Sequence, residues 1–230
     1  PPTDPARLEA AFLLAWSWRE QSRIDDAIAV LEPHVAPALR TVPADQALEL
    51  LLQDGVLKLY RGDYGPAEQR LNAVSREATA GSGEGPRRAM IADTALVRLQ
   101  LELGRPERAK ELARGVIARA EERFGPTSSW VWVGRQFLAR ALVDLECWDE
   151  AEQIFVDLVP ATAAVQGETH PKPIGLQNDL AKVYLRTGRP ELVARLLGPL
   201  ARSAESGEGA PHANTVTDRS RSKDRHGVLP

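Results

Sequence analysis

Cysteine is almost absent from this chain, aromatic residues are few, and neither sign of charge is in large excess. The single cysteine, Cys147, excludes an internal disulfide and any multi-cysteine metal site. Aromatics make up 5% of the residues, so the core must be mostly aliphatic. A formal charge of −3 excludes a strongly basic nucleic-acid binder. No uninterrupted apolar run approaches the roughly 20 residues needed to cross a bilayer. No basic-then-apolar export signal opens the chain, which points to the cytoplasm, or to the periplasm for a piece of an exported or membrane-anchored protein. The opening Pro1-Pro2-Thr3-Asp4-Pro5 reads as a linker, and the lack of an initial Met reads as a fragment or a processed chain. What is present in quantity is hydrophobic residues, 43% of 230, enough for one or two domains or one elongated repeat array.

Self-similarity favours the array. Gln21-Ser22-Arg23-Ile24-Asp25-Asp26-Ala27 resembles Arg61-Gly62-Asp63-Tyr64-Gly65-Pro66-Ala67. Related segments end at Ala109, Ala151 and Val193, so the spacings are 40, 42, 42 and 42. A second comb, Gly83, Gly125, Gly167 and Gly209, has the same period of 42 and falls where one unit hands over to the next. Two landmarks at one period make chance a poor explanation.

Each unit reads as two helices around the short segment. Leu138, Leu142 and Leu145 before the turn, and Ala151, Ile154, Phe155 and Leu158 after it, show helical spacing. Strand-like alternation is absent. Pro106 and Pro190 suit a first helical turn, where a missing N–H costs little. Small residues recur seven before the second turn residue (Ala15, Gly55, Ala139, Ala181) and five after it (Ala27, Ala67, Ala109, Ala151). A hairpin of closely crossing helices needs small side chains at both places.

These residues resemble the tetratricopeptide repeat (TPR) over about residues 6–205. The 42-residue period, Gly167-Glu168-Thr169-His170-Pro171 and Asn178-Asp179-Leu180-Ala181-Lys182-Val183-Tyr184 are similar to the kinesin-light-chain type common in bacteria. Lys58, Val97 and Val193 depart from the pattern in single units. The resemblance implies an all-α fold: an α-solenoid of about five stacked helix-turn-helix repeats forming a right-handed superhelix. Helix pairs are expected at about 6–38, 45–78, 87–123, 128–165 and 171–205. Pro33, Pro37, Pro160 and Pro199 fall inside second helices, where each removes a backbone bond at about 3 kcal/mol, so a kink or early helix end is expected. Residues 79–86 read as the loosest connector. Residues 206–230 begin a sixth unit that decays, since Asp218 and Ser222 fall where Leu176 and Leu180 stood. This segment reads as a disordered tail or as a capping helix over about 212–222.

No catalytic or cofactor constellation emerges. The four histidines (His34, His170, His212, His226) include no i,i+4 pair, and His170 reads as a helix-start or packing residue. Cys147 reads as a structural thiol. Gly81–Arg88 is glycine-rich but lacks the lysine and hydroxyl of a phosphate loop. The chain is therefore read as a non-enzyme without cofactor or metal.

What remains is surface. In this repeat type the first helix of each unit lines the concave wall. One ladder along it holds Trp16, Val56, Arg98, Arg140 and Lys182. Beside it lie Phe12, Leu52, Thr94, Gln136 and Asn178, and on its other side Arg19, Leu59, Leu101, Val143 and Leu185. The groove is expected to be two-toned, apolar in the first two units and cationic in the last three. Asp144, Glu102 and Asp179 stand near as counter-charges. Two uses compete: a groove for an acidic peptide with an apolar anchor, or arginines that pair between repeats with Trp16 packed in the first pair. Of Trp130 and Trp132, one is expected in the core and one exposed.

The leading functional expectation is a protein-interaction module without catalysis. The alternative is a sensory or regulatory part of a larger signalling protein, since bacterial repeats of this kind resemble those attached to kinases, transcription activators and caspase-like proteases. Repeat ends offer a homodimer surface. RNA binding is disfavoured, because no aromatic-basic ladder extends across units. Arginine exceeds lysine by 24 to 5, the usage of a GC-rich bacterial genome.

Overall fold

The computed structural model describes residues 4–79 and 84–205. The expectations for residues 206–230, for Gly83 and for 80–83 of the connector lie outside them. Ten helices fill the described residues: α1 Pro5–Glu20, α2 Ile24–Ala38, α3 Ala44–Arg61, α4 Tyr64–Thr79, α5 Gly85–Glu102, α6 Pro106–Phe124, α7 Ser129–Asp144, α8 Trp148–Gln166, α9 Pro171–Arg186 and α10 Pro190–Glu205. They pack in sequence as antiparallel pairs, giving about five repeats.

The turns explain the period. The second residue of every turn segment has positive φ: Ser22 (60°), Gly62 (92°), Gly104 (65°), Glu146 (58°) and Gly188 (71°). The amide that follows then reaches back five residues. Arg23 N donates to Trp18 O at 2.8 Å, and Asp63, Arg105, Cys147 and Arg189 donate to Lys58, Gln100, Leu142 and Tyr184 at 2.9 Å. This closure satisfies carbonyls that a helix end leaves orphaned and reverses the chain in two or three residues. Three of the five positions are glycine because an L side chain is strained there.

Tight turns bring helices close, and the small residues make the approach possible. Ala27, Ala67, Ala109, Ala139 and Ala151 have no solvent exposure. A Cβ on Gly55 would stand 3.0 Å from Arg70 Cβ and 3.1 Å from Leu71. Each principal core cluster joins one second helix to the first helices on both sides. Leu31 and Val35 of α2 pack with Ala15 of α1 and Leu50 and Leu57 of α3. Phe155 and Leu158 of α8 pack with Leu142 of α7 and Leu176, Leu180 and Val183 of α9. Hence no repeat owns a core alone, and stability is shared between neighbours.

The prolines do not end their helices. α2 runs through Pro33 and Pro37, α8 through Pro160, and α10 spans Pro199. Pro33 and Pro160 lie on exposed faces, and so do Ala29 and Val156, whose carbonyls lose their partners. Solvent can replace those bonds, so the helices continue. The tryptophans also differ from expectation. Trp130 and Trp132 are both half-buried, against the clusters of α5–α7 and α7–α9 respectively. No helix among the described residues is long and apolar enough to cross a membrane.

Candidate functional site: the wall of first helices

Among the described residues, successive first helices touch one another, α1 with α3, α3 with α5, α5 with α7 and α7 with α9, whereas second helices contact only first helices. Contact on one side and separation on the other means that the row bends toward the first helices. These helices therefore form the inner wall, and cross-repeat polar contacts run along it.

The N-terminal part is more closed than the residue ladder implied. Leu52, Val56 and Leu59 are 2%, 8% and 4% exposed, inside the core between α3, α4 and α5. They are not available as groove lining. Leu52 and Val56 share an apolar cluster with Val74 of α4 and Leu96 of α5, and Leu59 with Ala67 and Leu99. Arg88 of α5 also reaches back to α3, its Nε donating to Glu49 Oε2 at 2.6 Å and its Nη1 and Nη2 pairing with Asp45. Thr94 is also buried, its hydroxyl donating to Met90 O and Ile91 O at 2.9 Å.

Other expected positions are accessible. Trp16 is 49% exposed, and Phe12 beside it is half-buried. Arg19 ties α1 to α3 by donating from Nη1 to Gln53 Oε1 at 3.1 Å. The guanidinium of Arg98 sits 4.5 Å over the ring of Tyr60, and its Nε lies 3.6 Å from Glu102 Oε1. Arg140 Nε donates to Asp179 Oδ2 at 2.8 Å, and Lys182 Nζ approaches Asp179 Oδ1 at 3.4 Å. Gln136 is half-buried; Asn178 and Lys182 are exposed, and Leu185 is exposed at the far end. Asp144, on the last turn of α7, has a raised pKa because neighbouring protein displaces its hydration. Of the expected counter-charges, Glu102 and Asp179 engage the cations.

One contributor was missed. Tyr60 is half-exposed and carries Arg98. Its signal was available, four residues after Val56 and two before Gly62. Asp179, expected as a counter-charge, also links α7 to α9. His170 caps α9 as expected of a helix-start residue, its Nδ1 accepting from Lys172 N at 3.2 Å. Cys147 is half-buried, with Sγ 3.7 Å from Leu145 O.

The chain matches no family model and no curated protein sequence. Its fold does match solved structures. A Podosopora anserina protein of kinesin-light-chain type with nearly identical TPR-like repeats superposes with a TM-score of 0.67 at 21% identity, over 90% of this chain and 99% of that one. The apo form of RapI gives 0.72 at 10% identity, over 87% and 71% of the two chains. BtubC of P. vanneervenii gives 0.56 at 16%, over 85% and 96%. At these identities the likeness defines the fold. The protein has a TPR-like fold, an all-α array of about five helix pairs.

Proposed function

We propose that the chain is a non-catalytic protein-interaction module that binds an extended, acidic segment of a partner along its inner wall. The observation that carries this is a row of open anchors on first helices: Trp16, then Tyr60 under Arg98, then Arg140 and Lys182. The half-exposed rings supply apolar contact, and the cations supply sites for carboxylates. Asn178 and Gln136 beside them present paired donors and acceptors suited to a peptide backbone. A wall stabilised only for packing would bury the tryptophan and give each cation its own acid. Here Trp16 is half open and two cations share one acid.

Fluorescence anisotropy with labelled peptides that carry one tryptophan and two glutamates tests the reading. Alanine at both Arg98 and Arg140 is expected to weaken binding at least tenfold and to leave the melting temperature within a few degrees, because both arginines are roughly 40% exposed. Unaltered binding in this double variant would refute the assignment. Binding should also weaken as salt is raised.

A further inference from the structure

The cationic part of the inner wall is a compound site. Asp179 Oδ2 stands 2.8 Å from both Nε and Nη2 of Arg140, and its Oδ1 stands 3.4 Å from Lys182 Nζ. The acid is the covered member, with a side chain 12% exposed, against 41% for Arg140 and 71% for Lys182. Arg140 belongs to α7 and Lys182 to α9, so the acid holds cations of adjacent repeats side by side. Without it they would repel each other. Two cations and one carboxylate leave a single formal positive charge facing the solvent.

We infer that Asp179 sets the charge specificity of this site: it accepts one carboxylate of the partner, a glutamate or aspartate side chain, and rejects a phosphorylated residue. The inference rests on the inner wall being the peptide site. A carboxylate brings one negative charge to a site with one positive charge to spare. A phosphoserine brings about −1.5 to −2 at neutral pH. Its second charge finds no counter-charge and lies within a few ångströms of the Asp179 carboxylate. The covered position of the acid matters, because repulsion is screened less there than between fully exposed charges. Asp179 is thus a specificity-determining residue that acts through the two cations.

The test uses the 230-residue chain and an array of peptides, each carrying one tryptophan and, at varied spacing from it, one glutamate, one phosphoserine or one glutamine. Asp179→Asn preserves shape and removes the charge. Wild type is expected to bind the glutamate peptide more tightly than its phosphoserine twin. The variant should shift that ratio toward phosphoserine on the order of tenfold. The ratio is measured on one preparation, so any loss of folded fraction cancels. If wild type prefers phosphoserine, or if the ratio does not move in the variant, the inference is overturned while the peptide groove stands. If glutamate and phosphoserine peptides bind no better than the glutamine peptide, and Arg140→Ala changes nothing, the groove reading itself fails and takes this inference with it.

Discussion

Asp54 offers a direct test of how the repeats are held together. Its side chain is 4% exposed on α3, with Arg70 Nε of α4 at 3.0 Å and Lys58 Nζ at 3.4 Å. Lys58 is 9% exposed and also reaches Glu32 of α2 at 3.2 Å. Aligned on the turns, the corresponding residues of the other units are Leu14, Leu96, Leu138 and Leu180, so an ion cluster stands where the array otherwise uses leucine. Asp54→Ala leaves the Lys58 ammonium buried with Glu32 as its remaining acid. Breaking a buried pair costs about 3–5 kcal/mol, and the low end applies because Glu32 remains. At this chain length about 3 kcal/mol corresponds to a fall in Tm of about 6–12 °C. Asp54→Leu recovers about 2 kcal/mol through apolar burial and should fall about 1 kcal/mol short of wild type. The double variant Asp54→Leu, Lys58→Leu removes both buried charges, and Arg70 and Glu32 are open enough to rehydrate. It should equal wild type or exceed it by about 1–4 kcal/mol. Urea unfolding followed by far-UV circular dichroism measures all three variants. The reasoning is refuted if Asp54→Ala lies within about 0.5 kcal/mol of wild type, the level of an ordinary surface change. It is equally refuted if the double variant is less stable than Asp54→Leu alone.

Other outcomes follow from the same geometry. Glu146 holds φ at 58°, so Glu146→Gly should stabilise by about 0.5–1 kcal/mol in the same unfolding assay, whereas Gly104→Ala at φ 65° should destabilise. Trp16→Ala should cost under about 1 kcal/mol because the ring is half open, while Phe155→Ala, with no exposure, should cost about 3–5 kcal/mol. Only the first of these should reduce peptide affinity in a folded protein. Burial raises the pKa of Asp144, so the folded state binds its proton more tightly than the unfolded chain and loses stability as pH rises through the raised value. Asp144→Asn should therefore be more stable than wild type at pH 7, and the gain should vanish once pH falls below the usual aspartate range near 4. Thermal melts at pH 3.5 and pH 7 read this difference.

How much of this was visible in the residues varies from place to place. The turn at Gly104-Arg105-Pro106 announces itself, because a left-handed backbone residue, a reach-back amide and a proline in the first helical turn are all local requirements. Ser22 and Glu146 adopt the same geometry without glycine, and only their place in the 42-residue comb identifies them. The small residues at 55, 67, 139 and 151 were likewise legible, since close crossing forbids bulk. The inner wall was legible only in part. Leu52 shares a ladder with Gln136, and Val56 with Arg140, yet the first of each pair is core and the second is half-open. Equal position in a repeat does not mean equal exposure: Leu52 and Val56 are apolar and join the cluster between α3, α4 and α5, whereas Gln136 and Arg140 carry polar ends that stay partly in solvent.

The sequence by itself determined the helix pairs, their turns and their period, because those depend on backbone conformations and side-chain sizes within a few residues of one another. The tertiary structure alone decided which first-helix side chains remain open, that Tyr60 underlies Arg98, and that Arg140 and Lys182 share Asp179. Those contacts cross repeats, between residues about 40 apart in the chain for Tyr60–Arg98 and Arg140–Asp179. They depend on how far neighbouring units approach, a distance set by all the packed side chains together and by no single local pattern.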